Sequence, residues 1–413
     1  MSGGKAGAFR SLRVRNYRLW AAGAFVSNIG TWMQRTAQDW LVLTGLTHRS
    51  ASAVGIVMAL QFGPSLLLLP LTGLAADHLD RRKVLLVTQA TMGTLAMCLG
   101  LLTVFGVVQL WHVYVFALLL GCTTAFDAPA RQTFVSELVG TTDLANAVAL
   151  NSTSFQGARM IGPAAAGLLI GAVGSGWAFL ANAGSYAAVL CALAMLRTGE
   201  LHRTERPPLR RGSLAEGLRY VGGRSDLKVV LAMLFLIATF GLNFAIFIAT
   251  MAVSVFHVGA DQYGLLTSMM AIGSVTGALL SARRAMPRIA VLVGGAAVFG
   301  VGCALGAAMP DYWLFGATLV LIGMASQTFM TTANSTIQLA CDPPMRGRVM
   351  AIYLAIALGS TPIGAPIVGW VADAFGPRWA LAVGAAAGLA AALVGWRYIA
   401  RIAHEKEAPP APG

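Results

Sequence analysis

The sequence predicts an all-α, polytopic membrane protein with twelve transmembrane helices in two six-helix halves. Three observations predict it. Apolar residues make up 57% of the chain and charged residues 11%, against about 25% charged in a soluble domain. Water would leave such a surface uncovered; lipid has no need to cover it. The apolar residues come in runs close to the roughly 20 residues that a spanning helix requires, separated by charge or by Gly/Pro clusters. The third observation is that Lys and Arg, the source of the net charge of +13, fall between alternate runs.

Taken in order, the runs place the first span at 18–45, the second at 53–75, the third at 84–105, the fourth at 111–135, the fifth at 144–172 and the sixth at 177–196. The seventh to twelfth follow at 229–256, 262–282, 289–308, 312–338, 347–374 and 379–402. Residues 1–17 form a cytoplasmic N-terminus, 18–196 and 229–402 the two bundles, 197–228 a cytoplasmic linker, and 403–413 a Pro-rich tail expected to be disordered. Lys5, Arg10, Arg13, Arg15 and Arg18 precede the first apolar run without an apolar core among them. No cleavable signal peptide is expected there.

With the N-terminus inside, 25 of the 29 Lys and Arg residues fall at the cytoplasmic face, as the positive-inside rule requires. The exceptions are Arg35, Arg49, Arg159 and Arg378. An odd number of spans would scramble this alternation. The same distribution removes nucleic acid as the reason for the basic charge. The five cysteines have no metal-ligand spacing, so neither a disulfide nor a metal is expected, and no cofactor is called for: a Gly-x-x-x-x-Gly-Lys-Ser/Thr phosphate loop is missing.

The chain reads as a duplication. Gly162, Gly167 and Gly174 at the end of the fifth span match Gly364, Gly369 and Gly376 at the end of the eleventh at a common offset of 202, half the chain. Pro163 and Pro366 accompany them. Two six-helix halves joined by a basic loop is the layout of a rocker-type transporter, whose site lies between the halves near the midplane.

Five stretches carry a family resemblance. The loop after the second span reads Gly73-Leu74-Ala75-Ala76-Asp77-His78-Leu79-Asp80-Arg81-Arg82-Lys83. It resembles the signature loop of the major facilitator superfamily, matching at Gly73, Ala76, Asp77, Arg81 and Arg82. Asp80 stands at the family's turn glycine, where Asp tolerates a left-handed conformation better than most residues. Gly162-Pro163 with Gly167 resembles the Gly-Pro motif of the superfamily's antiporters, and its small residues and Pro suit close, bent helix packing. Asp127-Ala128-Pro129-Ala130-Arg131-Gln132 with Trp32-Met33-Gln34-Arg35 and Arg346-Gly347-Arg348-Val349-Met350 is similar to the bacterial branch holding the enterobactin exporter and the macrolide efflux proteins.

The resemblance implies a monomer in the bacterial cytoplasmic (inner) membrane that exports amphipathic small molecules in exchange for protons. It also implies that Gly73, Asp77, Arg81 and Arg82 form a gate, with Asp77 latching helix ends in one state. Many drug/proton antiporters of the superfamily carry an Arg inside the fourth span. Here that stretch is Phe116–Gly121, without a charge, so that position takes no part in any coupling.

A charge at the bilayer centre costs at least ~2.5 kcal/mol, so an ionisable group inside a span is a functional candidate. Arg35 and Asp39 lie i, i+4 on one face of the first span, where they can pair, and Asn28 continues that face. Functionally, Asp39 would carry a proton or bind substrate and Arg35 would tune it; structurally, the two would be a packing ion pair. Functionally, Arg159 would reach Asp127 or a substrate carboxylate; structurally, it would make an inter-helix hydrogen bond near the Gly-Pro bend. Gln327, Thr331, Asn334 and Gln338 form a polar stripe on the tenth span, a face that lipid does not tolerate. Phe240, Phe244 and Phe247, with Asn243, form an aromatic face on the seventh that suits flat hydrophobic ligands. In the superfamily the first, fourth, seventh and tenth spans line the cavity, which both faces fit. A nutrient importer or uniporter predicts several cavity carboxylates, and few lie within these spans. A non-transporting receptor or scaffold predicts an extramembrane partner surface, for which 197–228 is short.

Overall fold

A computed structural model describes residues 9–68, 71–72, 79–202, 214–282 and 288–407. All its regular structure is helical, and no strand occurs among these residues. The helices are α1 (Arg15–Trp40, running on as π turns through Leu46), α2 (Ala51–Leu67), α3 (Arg81–Val104), α4 (Leu110–Gly140), α5 (141–173) and α6 (Ser175–Ala194). They continue as α7 (Leu214–Gly223), α8 (Ser225–Val255), α9 (Ala260–Ala282), α10 (Ile289–Ala308), α11 (Tyr312–Ala340), α12 (Arg346–Phe375) and α13 (Pro377–Glu407). Among the described residues nine are long and apolar enough to cross a membrane: α3, α4, α6 and α8 to α13. The apolar α2 is shorter. Edges differ from the sequence expectation by a few residues, except at the second span, whose end lies outside the described residues.

Three features depart from that expectation. The stretch 197–228 contains an amphipathic helix, α7, held by Arg348 on Glu216 at 2.9 Å. Asp80 is not left-handed: at φ −67° and ψ 113° it caps α3, accepting from the Lys83 backbone N–H at 3.2 Å. The seventh span is not one continuous α-helix. Within α8, π turns at Ile237–Gly241 and Met251–Val255 flank a break at Leu242 and Asn243, which turns side chains away from the faces that α-helical spacing assigns.

The chain divides into two compact units, and their boundaries cut across both expected halves. The first holds Met1–His48, Leu60–Leu209 and Val258–Ser268; the second holds Arg49–Ala59, Arg210–His257 and Met269–Gly413. Thus the start of α2 groups with late residues of the chain and the start of α9 with early ones.

In the first unit Trp20, Tyr17, Phe134 and Leu138 are buried together, with Trp20 edge-on to Phe134 at 5.4 Å. The segment before α1 is tied to α5: Arg10 pairs with Asp143 at 2.8 Å, Ser11 Oγ donates to Asn146 at 2.7 Å, and Tyr17 OH donates to the Ala147 carbonyl at 2.8 Å.

In the second unit Phe299, Phe315 and Phe329 are fully buried. Gly388 of α13 lies backbone to backbone with Gly300 of α10, the small-residue contact by which membrane helices approach. At the start of α8, Arg224 grips Asp226 through two contacts of 2.9 and 2.7 Å and donates to the Ala340 carbonyl at 3.0 Å. That carboxylate holds the guanidinium above its ordinary titration range. Asp373 of α12 caps α2, accepting from the Ala51 and Ser52 N–H groups at 2.6 and 2.9 Å and from Ser50 Oγ at 3.1 Å.

The duplication is visible in the backbone. Gly174 ends α5 at φ 95°, ψ 166°, and Gly376 ends α12 at φ 100°, ψ 160°. Both lie at positive φ, which glycine adopts without the Cβ penalty. Within the first unit Gly162 lies on Ile29 to Met33 of α1 and Gly167 on the start of α9. Within the second, Gly364 lies on Thr239 of α8 and Gly369 on the start of α2. The four glycines therefore make equivalent contacts in the two repeats.

Candidate functional site

Of the gate residues, Gly73 and Asp77 lie outside the described residues. Arg81 pairs with Glu137 of α4 at 2.6 Å, and Arg82 donates twice to the Leu193 carbonyl of α6, at 3.0 and 2.9 Å. The two arginines thus join the start of α3 to α4 and α6.

Asp127 is 4% exposed on α4. It accepts from Thr88 Oγ1 at 2.8 Å and Gln89 Nε2 at 2.7 Å, and from Arg131 Nε and Nη2 at 3.0 and 2.9 Å. A carboxylate so occupied has no oxygen left for Arg159, so the contact offered between those two is not formed. Arg131 instead reaches Asn28 Oδ1 at 3.4 Å. It sits 5.9 Å from the Trp20 ring centre.

Arg35 and Asp39 do not form the ion pair that their spacing allows: no N–O approach within 4.0 Å joins them, though each feels the other's charge. Aromatic rings win the guanidinium. It lies 5.0 Å from the centre of Trp32 and 5.5 Å from that of Phe62 on α2. Arg35 Nε is buried without a hydrogen-bond partner. The hydroxyl of Tyr263 acts on Asp39; Tyr263 is 2% exposed on α9 and stacks its ring on Trp40 at 5.7 Å.

From α5, Arg159 comes within 5.4 Å of the same Trp32 ring. It has no ion pair or hydrogen bond among the described residues. Phe155, one turn earlier, meets Trp32 edge-on at 5.7 Å. Gly162 and Pro163 explain how the arginines converge. A Cβ at Gly162 would strike Trp32 Cβ and the Ile29 carbonyl, so glycine is what lets α5 lie against α1 at this level. Gly264 of α9 packs on the Pro163 carbonyl and Gly167 on Asp261, which brings the helix of Tyr263 to the same place.

The second-unit candidates separate into two groups. On α11, Gln327, Thr331 and Asn334 are half-buried and Gln338 exposed. They bond along their own stripe, Gln327 to Thr331 at 3.3 Å and Gln338 to Asn334 at 2.6 Å, while Phe329, Ala333 and Ile337 pack the opposite face. On α8, Phe240 and Phe244 keep partial exposure, but Phe247 is 1% exposed, its ring against Gly384. Its assignment to a ligand face is corrected: the helix breaks between Phe240 and Phe247 and the later ring turns into the packed interior. Asn243 is also fully buried at that break. It donates to the Thr239 carbonyl at 2.8 Å and leaves Oδ1 without a partner.

The sequence reading missed Trp32, Phe62, Phe155 and Tyr263 as parts of the Arg35 site. Two signals were present, Trp32 three residues before Arg35 and Phe155 four before Arg159, each a same-face helical spacing. Tyr263 carried no local signal, because its place depends on a contact between distant helices.

Comparison with known proteins agrees with this architecture. Similar sequences include the staphyloferrin A transporter of Staphylococcus aureus, 25% identical, covering 86% of this chain and 89% of that protein. The multidrug efflux pump Tap of Mycolicibacterium fortuitum is 27% identical over 86% and 88%, and the enterobactin exporter EntS of Escherichia coli K12 is 26% identical over 88% and 87%. Among solved structures, a bacterial homolog of the human lysosomal transporter Spinster superposes with a TM-score of 0.72 at 15% identity, covering 95% of this chain and 96% of the other. A D-xylose-proton symporter gives 0.70 at 13%, over 94% and 98%. The model of the family described as transmembrane secretion effector matches residues 6–411. The chain is a multi-pass membrane protein of the major facilitator superfamily and belongs to the transmembrane secretion effector family.

Proposed function

We propose that the protein is a secondary exporter of amphipathic small molecules, exchanging them for protons by alternating access. It works as a monomer of twelve spans in the bacterial cytoplasmic membrane, with both termini in the cytoplasm. The export direction rests on the family and on relatives whose names describe exporters and an efflux pump. The orientation rests on the distribution of Lys and Arg.

One observation carries the coupling. Asp39 is a carboxylate within the first span with no ion pair among the described residues, on which the Tyr263 hydroxyl acts. An intramembrane carboxylate without a bound cation is poised to exchange a proton. Arg35 lies within electrostatic reach of it, so exchange of that proton and movement of Arg35 are linked. The polar stripe of α11 and the exposed parts of Phe240 and Phe244 supply further cavity wall.

The test uses everted membrane vesicles carrying an imposed proton gradient. Macrolides, dyes, chloramphenicol, tetracycline and catechol siderophores are added in turn to wild type and to Asp39→Asn. Collapse of the gradient by at least one compound, lost in Asp39→Asn, is expected. Equal collapse in the two proteins would remove Asp39 from the coupling path.

A further inference from the structure

The two arginines that meet at Trp32 pose an electrostatic problem that the chain alone does not solve. The guanidiniums of Arg35 and Arg159 lie 5.0 and 5.4 Å from one ring centre, and Arg159 feels the positive charge of Arg35. No carboxylate lies within ion-pair distance of either among the described residues. The four other Arg residues of this unit that form ion pairs, Arg10, Arg81, Arg131 and Arg197, show what a structural arginine does here: each holds a carboxylate at 3.0 Å or less. Asp39, whose charge acts on Arg35, forms no ion pair with it.

Two like charges brought together in a low-dielectric interior repel, and their side chains keep unused N–H donors. A guanidinium stacked on an aromatic face still presents its edge, a planar fork that matches the two oxygens of a carboxylate, sulfonate or phosphate. Stacking therefore fixes the forks in place without consuming them. Around them stand the rings of Trp32, Phe62 and Phe155, and Phe155 keeps 45% of its surface open. Two aimed cations among aromatic walls, with one side open, is a site for a flat apolar body carrying negative charge.

We propose that Arg35 and Arg159 bind the anionic group of the transported molecule, with Trp32 as their common platform and Phe155 and Phe62 against its apolar body. The substrate class is thus an amphipathic organic anion. This rests on the export reading above and narrows it. In the wild type, the bound anion supplies the missing counter-charge and competes with Asp39 for Arg35.

The test is equilibrium dialysis of the full chain in lipid nanodiscs, corrected with empty nanodiscs. Three probes share one apolar body: 1-naphthoate, the neutral 1-naphthamide, and the 1-naphthylmethylammonium cation. Wild type is expected to hold naphthoate at least about tenfold more tightly than either of the others. Arg159→Gln should weaken naphthoate alone by about fivefold or more, and Arg159→Lys should retain the preference for the anion at reduced affinity. The wild-type comparison needs no variant to fold. Equal affinity for the three probes, tighter binding of the cation, or no saturable naphthoate binding below about 10 mM would overturn the proposal. The vesicle assay separates the two readings. Gradient collapse by neutral or cationic compounds without a naphthoate preference would leave export standing and remove the anion site. A naphthoate preference with no gradient response would support the site and count against proton coupling.

Discussion

Asp127 and Asp39 are both acidic side chains within spans, and their surroundings give them opposite characters. Asp127 receives donors from Thr88, Gln89 and Arg131, so it is a fixed strut between α3 and α4. Replacing it with Ala would strand the Arg131 guanidinium, and breaking a buried pair by removing one partner costs about 3–5 kcal/mol. Asp127→Ala is therefore expected to lower the thermal unfolding midpoint in detergent markedly. Unchanged melting would show that water or lipid headgroups replace the carboxylate. Asp39 has no such set of donors, and the Tyr263 hydroxyl acts on it, so Tyr263→Phe should leave the fold intact and change the pH dependence of transport. An identical transport-versus-pH profile would show that the hydroxyl does not act on the carboxylate. The i, i+4 spacing of Arg35 and Asp39 was legible in the sequence as proximity, but their partners were not: ring stacking on Trp32 outcompeted the ion pair, and that depends on where α2 and α5 bring Phe62 and Phe155.

The helices behave as their sequences dictate wherever periodicity is unbroken. The spans expected at 289–308 and 312–338 appear as Ile289–Ala308 and Tyr312–Ala340, because both are long apolar runs, the second starting on a cap from Asp311 to the Trp313 and Leu314 N–H groups. The exception is α8. Its aromatic face was read with a constant 3.6-residue period, and the π turns on either side of Asn243 break that period. No residue there announces the break as Pro would, which is why Phe247 was assigned to the wrong surface. The paired ends of α5 and α12 are the opposite case, since each glycine was flagged by its repeat. At φ 100°, Gly376→Ala forces a Cβ into a backbone region that costs on the order of 1–3 kcal/mol. Gly171→Ala, with open space where the Cβ would go, is the control. Gly376→Ala is expected to melt several degrees lower than Gly171→Ala. Equal melting would mean that the corner relaxes to negative φ.

At the scale of the whole molecule, the duplication and the charge alternation held most of the legible information. Both are global patterns, insensitive to local error, and the flagged glycines make equivalent contacts in the two units. The loop containing Asp77 tests the alternating-access reading directly. If Asp77 latches helix ends in one state, Asp77→Asn should abolish transport while leaving expression, melting and ligand binding near wild type. Normal transport by that variant would remove the latch. What the sequence withheld was the grouping of the start of α2 with the second unit and the start of α9 with the first, since such exchange depends on tertiary contact alone.

The cap that Asp373 places on α2 has a consequence for how the protein is made. The N–H groups of Ala51 and Ser52 bond a carboxylate more than three hundred residues further along the chain. Synthesis runs from the N-terminus, so α2 enters the bilayer long before its cap exists. Throughout translation its first turn must borrow other acceptors, from water, headgroups or an insertion factor. The cap closes only when α12 arrives, which makes the bond between Asp373 and Ala51 a mark of a finished polypeptide. A nascent chain arrested before residue 373 should leave Ser50–Ser52 open to protease, and release of the complete chain should close it.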